Sequence, residues 1–274
     1  MAGAPVIPGV VGPNAPPRVL ASTTSHKREP LLPTLEVFAK LGLRDLDLNL
    51  YHFLEAGETA SAVAKAVSAH GLRLWVASGG WCDFHHRAPE LDRTFASVER
   101  QVALAGELGV RHLRLFFGHL PYSDYSPASF DIICSNLSRL SDAHPGVAFM
   151  FENHDGASLH PEVCREILDR VARPNIRMNF DPINFAKVDI DPIAALGIVR
   201  PVVGHVHLKG LARGEYCEFG EGDVDLLPVL RSLLDGGYQG SFTVEYEGPL
   251  DGTLRLYRSV RRARAALGEV FPGT

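Results

Sequence analysis

The chain of 274 residues is 46% hydrophobic and 22% charged, and its 27 Lys and Arg against 32 Asp and Glu leave a net charge of −5. That balance argues against the broad basic surface of a nucleic-acid binder, and no apolar run nears the roughly 20 residues that span a bilayer. Neither nucleic acid nor membrane is an expected partner, and the length admits two small domains or one α/β barrel.

Residues 1–16 carry Pro and Gly throughout and no positive segment ahead of a hydrophobic block, so they are expected to be a disordered arm rather than a secretion signal. Cys82, Cys134, Cys164 and Cys217 lie far apart with no C-x-x-C pair, which suggests neither a disulfide framework nor a thiolate zinc site. The cytoplasm is the expected compartment.

From residue 17 to 274 the sequence predicts one domain in which short β-rich runs alternate with segments of helical period. Strands are predicted over 18–23, 44–50, 72–78, 111–117, 147–152, 176–181, 203–209 and 241–247. Helices are predicted over 33–41, 58–70, 90–108, 128–143, 160–171, 192–199, 226–235 and 252–267. Gly42, Gly71 and Gly109 each follow an apolar-periodic segment, where a left-handed residue ends a helix, and Asp225 suits the N-cap of the helix after it. Eight such repeats without a linker close most simply as a single (β/α)8 TIM barrel. A doubly wound sheet is disfavoured because no glycine-rich phosphate loop follows the first strand.

Barrel active sites form where the strands run into the following loops. The fifth to eighth strands end in Glu152, Asp181, His207 and Glu245. Each acid alone is explained as a helix N-cap or an ion-pair partner. Four metal-ligand types on four consecutive strands have one common explanation, a single divalent ion that relieves the repulsion among three carboxylates. An oxygen-rich set with one nitrogen makes Mn²⁺ the expected ion, with Mg²⁺, Co²⁺ or Zn²⁺ as alternatives.

The stretches "FENHDG", "NFDPINF", "GHVHLKG", "GEGDVD" and "FTVEYEG" resemble the xylose isomerase-like TIM-barrel superfamily of sugar isomerases, epimerases, inosose and 3-dehydroshikimate dehydratases and endonuclease IV-type repair enzymes. The resemblance implies a Glu–Asp–His–Glu metal site at Glu152, Asp181, His207 and Glu245, with His207 rather than His205 as the ligand. It also implies an arginine on the substrate at Arg213. Ketohexose epimerases of this group carry a His three residues after the metal-binding Asp, where this chain has Asn184.

Other candidates follow from position. Lys209 lies on the same strand face as His205 and His207, where it would either stabilise an enolate or pair with a ligand carboxylate. Asn153 and His154 leave the fifth strand at the barrel mouth, and Trp81, His119 and Tyr122 follow the third and fourth strands. Substrate contacts are therefore expected from His154, Asn184, Lys209, Arg213, Trp81 and His119. The arginines of the last helix, 255 to 264, are expected to face solvent or a second subunit of a homo-oligomer.

These residues imply a divalent-metal-dependent isomerase or epimerase of carbohydrate metabolism. Its substrate would be a small non-phosphorylated sugar or polyol-derived ketone, and Glu152 and Glu245 would move protons through an enediolate. Absence of phosphate is expected because the loops after the seventh and eighth strands carry Glu215, Glu218, Glu221, Asp223, Asp225, Glu247 and Asp251. The alternative is a dehydratase of the inosose or 3-dehydroshikimate type, with Lys209 or His154 supplying the extra acid. An endonuclease IV-like activity fits less well, because the extra histidines are missing and the charge is acidic.

Overall fold

The computed structural model describes residues 17–249 and 252–270. The arm expected at 1–16, and Asp251, lie outside the described residues. Eight parallel strands form a closed barrel. In chain order the strands are β1 (Val19–Ser22), β2 (Asp45–Asn49), β3 (Arg73–Ser78), β4 (His112–Phe116), β5 (Ala148–Glu152), β6 (Ile176–Phe180), β7 (Val203–Leu208), β8 (Gly210–Ala212), β9 (Glu215–Cys217) and β10 (Phe242–Val244). The barrel order is β1-β10-β7-β6-β5-β4-β3-β2, while β8 and β9 make a separate antiparallel hairpin. Helices cover each of the eight predicted segments, for example Glu90–Glu107 and Pro127–Ala143.

Helix ends follow local chemistry. Gly42, Gly71 and Gly109 sit just past helices at φ of 74°, 62° and 73°, a left-handed conformation that costs glycine little. Ser126 and Ser129 form a reciprocal capping box at the start of Pro127–Ala143. At the predicted cap, Asp225 Oδ1 accepts the N–H of Leu227 at 2.9 Å.

The alternation of side chains along a strand divides the barrel wall into two layers. Leu46, Leu48, Leu113, Leu115, Phe149, Phe151, Met178, Phe180, Val206, Leu208, Phe242 and Val244 all belong to the apolar core shared with the surrounding helices. Fully burying each such side chain stabilises the fold by roughly 1.5–3 kcal/mol. The alternating positions point into the barrel and are mostly polar, among them Asp47, Arg114, Glu152, Asn179, His205, His207, Thr243 and Glu245, all buried. The inner layer thus puts charge where an ordinary barrel packs branched apolar side chains.

The elements that escaped the sequence reading include the short helices Leu50–Ala56 and Pro182–Ala186 and the β8–β9 hairpin, besides several 3-10 turns. The two helices begin directly off strand ends. Asn49 and Asp181 cap them through side-chain oxygens, so no loop separates strand from helix. Among the described residues no helix is long and apolar enough to cross a membrane.

Candidate metal and substrate site

Burial and geometry bring Glu152, Asp181 and His207 together, with one ligand atom from each lying within 4.8 Å of the others. Two reciprocal hydrogen bonds set their spacing. Asn153 Nδ2 donates to the Asp181 carbonyl at 2.8 Å, and the Asp181 N–H donates to Asn153 Oδ1 at 2.9 Å. Asn153, expected at the substrate, instead ties the end of β5 to the end of β6.

Asp181 has two roles. Its Oδ1 accepts the N–H groups of Ile183 and Asn184, the N-cap expected of a lone strand-end acid. Its Oδ2 faces Lys209 Nζ at 2.9 Å. Asn184 donates to Glu152 Oε1 at 3.1 Å and to the Asn153 carbonyl at 2.9 Å, so this residue orients the Glu152 carboxylate.

His207 Nδ1 lies 3.6 Å from Glu152 Oε2 and 3.3 Å from Glu245 Oε2. Glu245 stands beside the three-residue cluster, with Ser22 Oγ donating to its Oε1 at 3.4 Å. The other ring nitrogen, Nε2, lies 3.7 Å from Asp47 Oδ2. Asp47 starts a polar column along the barrel interior. Thr243 Oγ1 donates to Asp47 Oδ2 at 3.1 Å, His205 Nε2 meets Thr243 Oγ1 at 2.8 Å, and Ser241 Oγ meets His205 Nδ1 at 3.0 Å.

Donor and acceptor roles follow from the carboxylate end. An ionised carboxylate only accepts, so Thr243 gives its proton to Asp47. Its oxygen then takes the His205 Nε2–H, and His205 Nδ1 accepts from Ser241. Burial pushes the His205 pKa well below its ordinary value, in keeping with this neutral tautomer. His205 is thus a core residue, and His207 is the one that meets the acids.

Charge decides what else the site can hold. Glu152, Asp181, Glu245 and Glu247 are opposed by two buried cations, Arg114 and Lys209, and by the half-exposed Lys27, whose Nζ lies 3.8 Å from Glu247 Oε1. Arg114 Nε stands 3.2 Å from Glu152 Oε2, and Lys209 Nζ stands 2.9, 3.9 and 3.1 Å from Asp181, Glu245 and Glu247. Burial works to raise the Glu152 carboxyl, but the charges of His207 and Arg114 outweigh it and hold Glu152 down to about 2. Burial lifts Asp181 to about 6, and Lys209 offsets only part of that rise. Against its own burial, His207 is driven well above its ordinary value by Glu245 and Glu152.

Lys209 is likewise raised by Asp181 and Glu247, so it is an ion-pair partner of the strand-end acids. Glu152 Oε2 and both His207 ring nitrogens remain buried without a hydrogen-bond partner; the short Arg114 contact lacks hydrogen-bond alignment. Two open nitrogen and oxygen donors in a field of excess carboxylate fit a divalent cation.

The site opens into a cavity of about 250 Å³ lined by Arg114, Glu152, His154, Lys209, Glu245, Glu247, Trp81, Phe116, Tyr51, Asn49, Lys27, Thr24 and Gly79. Trp81 stacks on Phe116 with centroids 4.3 Å apart and meets the edge of His154 at 5.2 Å, forming an aromatic wall. His119 stacks on the other part of Trp81 but is tied to Asp83, outside the cavity lining. Arg213 is exposed on the β8–β9 turn at φ 51°, and it too is absent from the lining. Tyr122 is exposed and stacks on His160.

Asp47 and Arg114 went unnoticed in the sequence. Their signal was a charged side chain in the middle of a strand buried on both faces.

The acidic loops expected to repel phosphate also resolve into separate roles. Glu218 is buried and paired with Arg255, Arg258 and Arg262, and Glu221 with Arg262. Asp223 accepts the backbone N–H of Arg213 at 2.7 Å. Of those acids among the described residues, only Glu247 lines the cavity. The same ion pairs add a role to the last helix: Arg258, Arg261 and Arg264 face solvent as expected, while Arg255, Arg258 and Arg262 also hold a loop.

Residues 35–265 match the family described as xylose isomerase-like TIM barrel. The chain belongs to that family. A curated 3-dehydroshikimate dehydratase from Bacillus anthracis is 21% identical over 131 residues, 46% of this chain and 46% of that protein, so the match spans about half of the relative's length. The solved IOLI protein with a bound zinc atom superposes with a TM-score of 0.77 at 18% identity, covering 93% of this chain and 98% of that one. An L-ribulose 3-epimerase superposes with a TM-score of 0.76 at 15% identity, covering 93% and 96%. Family neighbours thus include an epimerase, a dehydratase and a zinc-bound protein, and at these identities the superpositions establish the fold.

Proposed function

We propose that the chain is a divalent-metal-dependent isomerase or epimerase of a small, unphosphorylated keto-sugar or polyol-derived ketone. The observation that carries this reading is the approach of two carboxylates, Glu152 Oε2 and Glu245 Oε2, to one ring nitrogen of His207 at the head of the cavity. They come from β5 and β10, which are separated in the barrel by β6 and β7.

Glu152, Asp181, His207 and Glu245 would hold the ion, with Mn²⁺ first among the candidates. When bound, a divalent ion supplies Lewis-acid polarisation of a carbonyl and its neighbouring hydroxyl. Glu152 and Glu245, reaching the substrate carbon from different strands, take the proton beside the carbonyl and return it. Asn184 fixes the Glu152 carboxylate through Oε1 and leaves Oε2 free. Lys209 presents a buried cation to the developing enolate oxygen, where water cannot weaken the attraction. Trp81, Phe116 and His154 wall off one side of the reacting carbon.

A dehydratase is the second reading, favoured by the buried Lys209 and by the partial match to a 3-dehydroshikimate dehydratase. There the same base removes the proton, and Lys209 or His154 protonates the departing β-hydroxyl.

The test is a panel of keto-sugars, inososes and 3-dehydroshikimate with Mn²⁺ in D₂O, followed by NMR. Deuterium at the carbon beside the carbonyl without loss of water supports the isomerase or epimerase. Loss of water to an alkene or dione replaces it with the dehydratase. No exchange on any ketone with any divalent ion overturns both. A phosphate ester preferred tenfold or more over its free sugar, about 1.4 kcal/mol in the transition state, would rule out the unphosphorylated substrate.

A further inference from the structure

Beyond the strand-end site, the loop leaving β3 carries a second set of ligand-type side chains that the proposed chemistry does not use. In "WCDFHH" Cys82 and Phe84 are buried while Asp83, His85 and His86 stay partly exposed. The His86 N–H donates to the Asp83 carbonyl at 3.3 Å and curls the loop back on itself. Asn136 secures that curl by donating to the carbonyls of Phe84 at 2.8 Å and His86 at 3.4 Å.

One ligand atom each of Asp83, His85 and His86 consequently lie within 4.8 Å of one another. His119, from the loop after β4, adds Nδ1 at 3.1 Å from Asp83 Oδ1 and 3.3 Å from Oδ2. The buried His85 Nδ1 has no hydrogen-bond partner and stands 4.0 Å from Asp83 Oδ1. An imidazole nitrogen shut away from water without a partner is costly unless something accepts its lone pair. Two imidazoles and a carboxylate within reach of one ion, with the His119 imidazole against the same carboxylate, make a donor set that suits Zn²⁺ and is too nitrogen-rich for Mg²⁺ or Ca²⁺.

We propose that Asp83, His85, His86 and His119 form a second cation site, at the rim of the barrel, for Zn²⁺ or a similar divalent transition ion. Its residues are separate from Glu152, Asp181, His207 and Glu245. The ion clamps the β3 loop to the β4 loop and holds His119 against Trp81, whose ring lies 3.8 Å away and forms part of the cavity wall. The rim site therefore sets the shape of the pocket without touching the substrate.

The experiment titrates Zn²⁺ into chelator-stripped protein against a chromophoric competitor while Trp fluorescence is recorded. Wild type is expected to bind about two zinc ions per chain, and His85→Gln/His86→Gln about one. A Glu152→Gln/Asp181→Asn variant should also bind about one and keep the fluorescence change that reports on Trp81. An undiminished zinc number in the His pair variant overturns the proposal, as does rim binding weaker than about 10 μM. One zinc in wild type that vanishes in the Glu152/Asp181 variant also overturns it and leaves the proposed function standing. One zinc that survives there but vanishes in the His pair variant supports the rim site and counts against the strand-end metal.

Discussion

Two buried acidic clusters in this protein show how a carboxylate becomes structural or reactive. Glu218 is 1% exposed and has three arginines around it, Arg255 at 3.0 Å, Arg258 at 3.6 Å and Arg262 at 2.8 Å. Both of its oxygens are spoken for, and the result is a clip between the loop after β9 and the last helix. At the barrel mouth the ratio is reversed, with Glu152, Asp181, Glu245 and Glu247 sharing the buried Arg114 and Lys209 and the more exposed Lys27. Matched charge fixes a loop; unmatched negative charge in the same kind of burial leaves capacity for a cation and for a base.

The contrast breaks most visibly at the strand ends. Glu245→Gln and Glu152→Gln should each lower kcat by about 10²-fold or more, because a positioned base alone contributes about 10²–10⁴-fold, with far-UV circular dichroism unchanged. Near wild-type turnover in either variant would remove that residue from the mechanism. Asp47→Asn is the next largest effect. A carboxylate behind a ligating imidazole orients it, and its loss typically costs about 10–100-fold in metal affinity. Competition with a metal indicator measures this, and an unchanged Kd would make Asp47 a packing residue only.

Glu218→Gln tests the other cluster. It should lower unfolding free energy by about 1–3 kcal/mol, the usual cost of unpairing a buried polar group, while kcat/KM stays at the wild-type value. Urea denaturation and a steady-state assay read the two quantities, and a loss of activity without a loss of stability would erase the distinction drawn here.

The smallest effect concerns His52, whose folded pKa burial pulls below the ordinary value while its Nε2 lies 2.6 Å from the Glu29 carbonyl. The unfolded state then binds the proton more readily. Stability is present above the unfolded pKa of about 6.5 and is lost as pH falls from there toward the folded pKa. Replacing His52 with Gln should flatten the slope of unfolding free energy between about pH 7 and 5, and an unchanged slope would show that His52 stays as accessible to protons as in the unfolded chain.

Periodicity made the eight repeats legible, and so did the strand-end acids, because each ends an apolar run at a place the barrel reserves for chemistry. Asp181 shows the limit of reading such an acid alone, since it is an N-cap through Oδ1 and an ion-pair partner through Oδ2 at once. Asp47 was hidden because its partner His207 lies across the interior and meets it only after the barrel closes, and Arg114 because its partner Glu152, on the neighbouring strand, is reached only through the inward-facing register. Arg213 shows a spacing that the fold uses otherwise. Its spacing from His207 matched a substrate arginine, yet the β8–β9 hairpin spends that spacing on a turn and leaves the side chain in solvent.

The bond from Ser22 to Glu245 joins residues 223 positions apart, and the β1–β10 ladder around it is the seam of the barrel. Bringing such distant segments together costs an unfolded chain about 5 kcal/mol of loop entropy. Glu245, the last strand-end carboxylate in chain order, reaches its companions only once that cost has been met. A polypeptide emerging from the ribosome therefore carries Glu152, Asp181 and His207 for some time without their fourth strand-end partner. The strand-end cluster is complete only with the final seam, so the rate at which the Ser22–Glu245 contact forms on refolding measures the slowest long-range pairing in the folding of this chain.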